Sequence, residues 1–69
     1  MSKTEAIELA KNGQCITHTL FHFKEFLKYE VVSMKWVDQN SRKYDTLSDA
    51  LGVDEHGPEW VNNWLLKTF

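Results

Sequence analysis

The chain has 69 residues, among them four phenylalanines, three tryptophans and two tyrosines, and its ten acids outnumber eight lysines and arginines for a net charge of −2. One domain of this length buries only about 60% of its unfolded surface, and the scattered charge excludes both the basic stripe of a nucleic-acid polymer binder and the strong acidic bias of a nucleic-acid mimic. A single cysteine, Cys15, excludes an internal disulfide, and no zinc quartet is present, so self-association as a homodimer or larger assembly is the expected source of extra stability.

The first predicted element is a helix of about ten residues. Ser2 and Glu5 fit a capping box, each side chain satisfying a backbone donor that the first turn leaves free. Ala6, Ile7, Leu9 and Ala10 supply the apolar face, with Lys3, Glu8 and Lys11 outside, and Gly13 after Asn12 provides the stop. "QCITHTLF" then reads as a strand because of its β-branched residues. Period two sends Ile16, His18 and Leu20 to one face and Cys15, Thr17, Thr19 and Phe21 to the other. "HFKEF" carries Phe23, Phe26 and Leu27 at helical spacing, and a single turn linking two strands suits it.

"FLKYEVVSMKWV" reads as one or two further strands, and "DQNSRK" as a turn, since Asp, Asn and Ser bond their own backbone. A short second helix follows, capped by Thr46, with Asp49 in its first turn, Leu47, Ala50 and Leu51 apolar, and Gly52 as the stop. "VDEHGPEW" is a loop. In "EWVNNWLLKTF", Trp60, Val61, Trp64 and Leu65 make a helix stripe with Pro58 tolerated in the first turn, so the pattern favours helix over strand. The fold class expected is α+β: an N-terminal helix on a small antiparallel sheet, a short second helix and an aromatic C-terminal segment, helix or strand.

Cys15 and His18 suggest a thiol–imidazole nucleophile, which needs the two side by side. On a strand their odd separation points them to opposite faces, and Cys15 reads as a small packing residue. His18 and His22 suit two metal ligands on a helix, but on a strand they stand about 13 Å apart. No catalytic residue, metal or cofactor is therefore assigned. The aromatic residues are the richest signal. Most belong to a core, and the surplus suits either an oligomer interface or a stacking surface for flat rings. His18, Thr17, Asn62, Asn63 and Arg42 could add hydrogen bonds and charge to such a surface.

"EAIELAKNGQCITHTLF" followed by "EFLKYE" resembles the start of a group of short proteins from phages and mobile elements, most closely over Glu5 to Phe21. That group resembles the small anti-defence proteins that counter bacterial Thoeris and cyclic-oligonucleotide signalling. The later half, "KWVDQNSRKY" and "EWVNNW", is similar to the group's turn and its tryptophan-bearing terminal strand, whereas "THTLF" lacks the tryptophan the group carries there. The resemblance implies a non-catalytic α+β oligomer that sequesters a nucleotide-derived immune signal in the cytoplasm of the host. It implies a ligand pocket at a subunit interface, drawn from His18, Phe21, Trp36, Arg42, Trp60 and Trp64. A protein–protein inhibitor acting through an exposed aromatic patch on a host defence or transcription protein is the alternative. With no apolar run of about 20 residues, a membrane partner is not expected.

Overall fold

Helix α1 spans Lys3–Lys11 in the computed structural model, which describes residues 1–69. The Ser2 hydroxyl accepts from the Glu5 amide at 3.2 Å, and the Glu5 carboxylate accepts from the Ser2 amide at 3.1 Å. Both halves of the capping box are thus made, which satisfies two donors that the first turn cannot bond itself. At the other end Gly13 takes φ 93°, a left-handed conformation that glycine adopts without a Cβ penalty. Ala6 and Ala10, one turn apart, are fully buried, so α1 approaches the sheet closely along a stripe of small side chains.

Five short strands form one antiparallel sheet in the order β4-β3-β2-β1-β5: β1 (Ile16–His18), β2 (Leu27–Glu30), β3 (Lys35–Asp38), β4 (Lys43–Tyr44) and β5 (Trp64–Leu66). Register sorts the residues. Ile16 pairs with Leu27 and Leu66, His18 with Trp64, and Trp36 with both Tyr29 and Tyr44, so these share the inner face. Thr17, Lys28, Val37, Lys43 and Leu65 share the outer face. Helix α2 (Leu47–Leu51) is capped by the Thr46 hydroxyl and stopped by Gly52 at φ 75°, and a single 3₁₀ turn covers Pro58–Trp60. Ala6, Ala10, Leu47 and Trp60 meet Ile16, Leu27, Trp36 and Trp64 in one core, so both helices and the 3₁₀ turn lie against the inner face.

The α+β architecture is as expected, and so are both helix caps and the "DQNSRK" turn, while the one or two strands expected within "FLKYEVVSMKWV" are two, β2 and β3. The tail is a correction. Residues 59–69 contain no α-helix: the 3₁₀ turn ends at Trp60, Asn63 reverses the backbone at φ 71°, and Trp64–Leu66 joins the sheet as β5. Strand pairing with β1 on one side, and mutual backbone hydrogen bonds between Met1 and Trp64 on the other, outweigh a local helical pattern. The i, i+4 spacing still brings the two indoles together, with centroids 5.9 Å apart and the Trp64 indole N–H donating to the Trp60 carbonyl at 2.8 Å.

Phe21 is a second correction. Strand β1 ends at His18, and the Phe21 amide turns back to the His18 carbonyl. Alternation therefore lapses, and Phe21 packs with His18, Trp60 and Trp64 on the inner side while Leu20 is exposed.

Candidate functional site

One cleft of about 360 Å³ opens on the inner side of the sheet. Leu20, Phe21, Glu25 and Phe26 of the β1–β2 loop form one wall, and Asp38, Gln39, Asn40 and Arg42 of the β3–β4 turn form another. Leu27, Tyr44, Ala50, Leu51 and Trp60 complete it. The volume lies at the small end of the range for small-molecule sites, and eight of the thirteen lining residues are hydrophobic, although the surface they leave open is mostly polar. Register explains the placement of its acid. Leu27 pairs with Asp38, so the Asp38 side chain rises on the same inner face at the end of β3.

The Asp38 carboxylate organises the turn. Its Oδ1 accepts from the Asn40 amide at 2.9 Å and the Arg42 amide at 3.0 Å, while Oδ2 accepts from the Tyr44 hydroxyl at 2.8 Å. Partial burial pushes its pKa up, but the Arg42 amide, the Tyr44 hydroxyl and the Asn40 amide outweigh that and hold it below the usual carboxylate value. Donating to this anion raises the Tyr44 hydroxyl above its ordinary value. A depressed folded-state pKa contributes stability above the unfolded value of about 3.9, and that stability is lost as pH falls through the folded value. Asp38→Asn keeps an oxygen for the two amides and gains an NH₂ that donates to the Tyr44 hydroxyl, but it loses the charge that strengthens all three bonds, so it should cost about 1–2 kcal/mol at neutral pH. The deficit should shrink as pH falls below the ordinary Asp value of about 3.9 and the wild-type carboxylate protonates. Urea unfolding at several pH values checks this, and a deficit that does not narrow as the solution is acidified overturns it.

Trp60 is buried at the edge of the cleft, and its indole N–H is closed to solvent with no hydrogen-bond partner. A buried donor left unpaired costs about 1–3 kcal/mol. Trp64, by contrast, has its N–H satisfied by the Trp60 carbonyl.

Of the six residues offered for a pocket, Phe21, Arg42 and Trp60 line the cleft. His18, Trp36 and Trp64 do not, and that part of the expectation is corrected. All three are at most 5% exposed within one chain and have no face open to stack on a ligand. His18 is a structural group. Its Nδ1 accepts from the Leu20 amide at 3.0 Å, so Nδ1 carries no proton, and Nε2–H donates to the Asn62 carbonyl at 2.8 Å. With both nitrogens engaged, the ring has no lone pair left for a metal. Thr17 bonds the Glu25 carbonyl, and no three His, Cys, Asp or Glu residues gather as a metal site. Cys15 is half-buried just before β1.

The sequence does not single out Glu25, Phe26, Asp38, Gln39 or Tyr44 as cleft residues. The one usable signal was the "DQNSRK" turn, whose polar side chains read as turn chemistry alone. No family model matches the chain, nor does any characterised protein sequence or any solved structure.

Proposed function

We propose that the protein is a non-catalytic binder of a nucleotide-derived small molecule, which inserts its flat ring into the aromatic cleft. The observation that carries this reading is the meeting of Phe21, Phe26, Tyr44 and Trp60 with two carboxylates, two amides and a guanidinium around one cavity. Aromatic faces hold nucleobases by stacking, worth about 1–3 kcal/mol per base. Taken with the resemblance over Glu5 to Phe21, the reading extends to a phage-type anti-defence protein that sequesters an immune signal in the host cytoplasm as a homo-oligomer. Titration calorimetry with cyclic di- and oligonucleotides tests it. A ligand at a hundredfold excess over its Kd stabilises by about 2.7 kcal/mol, which in a domain this small raises Tm on the order of 10 °C. Neither heat nor a Tm shift with any of them would sink the proposal.

A second reading, inhibition of a host protein by direct contact, draws on the β2–β3 hairpin tip. Val31, Val32 and Met34 are exposed there, Val32 almost completely, and Met34 holds a left-handed φ of 57° where glycine or asparagine is the usual choice. The Ser33 hydroxyl donates back to Glu30 at 2.5 Å, which leaves the apex apolar. Contiguous apolar surface of this kind serves contact sites better than solubility. On this reading Val32→Asp abolishes a host complex without lowering Tm, and a complex that survives the substitution rules the tip out.

A further inference from the structure

We infer that the cleft selects a ring bearing an exocyclic amino group and leaves phosphate groups outside in solvent; this rests on the nucleotide reading above. The argument is electrostatic. Glu25 and Asp38 bring carboxylates from two different walls, against one guanidinium, Arg42, which is itself exposed. An ionised carboxylate offers about four acceptor sites and no donor. Glu25 spends one of its sites, on the His22 amide at 3.0 Å, and Asp38 spends three on its own turn. What faces an incoming ring is therefore spare acceptor capacity with negative charge behind it.

An amino group meets this wall with two N–H donors. A ring carbonyl at the same position sets oxygen against carboxylate, and a phosphate is worse still, because desolvated like charges repel strongly. Arg42 suits a phosphate only where its guanidinium reaches solvent, at the mouth. Gln39 and Asn40 add neutral amide N–H donors to the lining, the Gln39 oxygen being held by the Phe26 amide at 3.4 Å, and hydrogen bonds to the two charged carboxylates are about twice as strong as those neutral ones. The low pKa of Asp38 keeps its charge in place at neutral pH.

Matched pairs of nucleoside monophosphates isolate the amino group. Adenosine and inosine monophosphates differ at C6, and cytidine and uridine monophosphates at C4, by amino against carbonyl with the same sugar and phosphate. Binding is followed by the Trp60 indole N–H resonance, which has no partner in the free protein, with inorganic phosphate as the control. The amino member of each pair that binds should bind about ten- to a hundredfold more tightly, the worth of one charge-assisted hydrogen bond. Glu25→Gln, which keeps an oxygen for the His22 amide, should cut that ratio at least about threefold, whereas Arg42→Gln should weaken both members together and leave the ratio unchanged. Equal affinity within the pairs, or competition by inorganic phosphate, overturns the amino-group inference and leaves the nucleotide reading standing. If no nucleotide of either pair, cyclic or linear, moves the resonance, the nucleotide reading itself falls, and this inference with it.

Discussion

Trp64→Ala should leave the chain without a cooperative fold at 25 °C. Trp64 is the largest fully buried side chain, and it touches His18, Phe21 and Trp60 through ring contacts of 4.9 to 5.9 Å. Truncating a buried tryptophan costs about 3–5 kcal/mol, part of it lost transfer energy and part the cavity left behind. The core of so small a domain rarely supplies more than about 3–5 kcal/mol in total. Loss and reserve are therefore of equal size. Trp64→Phe fills most of the space and forfeits the bond to the Trp60 carbonyl, so it should keep the fold at a cost of about 1–3 kcal/mol. Near-ultraviolet circular dichroism and urea titration measure both. A Trp64→Ala protein that unfolds within about 1 kcal/mol of wild type contradicts the assignment of Trp64 as the centre of the core.

His18 is the second weak point, for a different reason. Its ring sits 4.7 Å from Trp60 and 4.9 Å from Trp64, and its two nitrogens tie the end of β1 to the loop that leads into β5. His18→Phe keeps an aromatic ring there and removes both hydrogen bonds. The Leu20 amide and the Asn62 carbonyl then lose their partners, at about 1–3 kcal/mol for each group that stays buried. We expect a loss of about 2–4 kcal/mol and a shift in the Trp60 resonance, because Asn62 lies just beyond the 3₁₀ turn that positions Trp60 at the cleft. A loss under about 0.5 kcal/mol would mean that water replaces both bonds. Nitrogen chemical shifts of the imidazole offer an independent check, since the neutral Nε2–H form is the one that satisfies both contacts.

The parts of this fold that could be read from sequence are those whose cause is local. A capping box needs only Ser2 and Glu5, and the second helix only Thr46 and Gly52 at either end. Turn chemistry in "DQNSRK" is likewise contained within the turn, where Asp38 bonds residues 40 and 42. The misreadings have non-local causes. Strand β5 exists because β1 offers it a ladder, and residues 59–69 taken alone show a better helix stripe than strand alternation. Phe21 changes sides because the strand stops at His18, a boundary that no residue type announces. The cleft was the least legible feature of all. Its walls come from the β1–β2 loop, the β3–β4 turn, α2 and the 3₁₀ turn, so no contiguous motif contains it. Tryptophan content pointed toward a binding surface, while all three indoles went into the core and only Trp60 also borders the cleft.

The arrangement of Trp60 and Trp64 also has an optical consequence. Two indoles with centroids 5.9 Å apart and planes inclined at 41° are near enough for their excited states to couple, and the tilt gives that coupling a handedness. The far-ultraviolet spectrum should therefore carry a two-signed exciton band on top of the backbone signal. All three indoles lie in the interior, so emission from the native chain should be shifted to the blue. The couplet belongs to one pair of rings, and it will vanish when either is replaced by phenylalanine while the blue-shifted emission persists. Unlabelled protein thus carries one signal for its interior as a whole and another for the single pair of indoles that joins the core to the cleft.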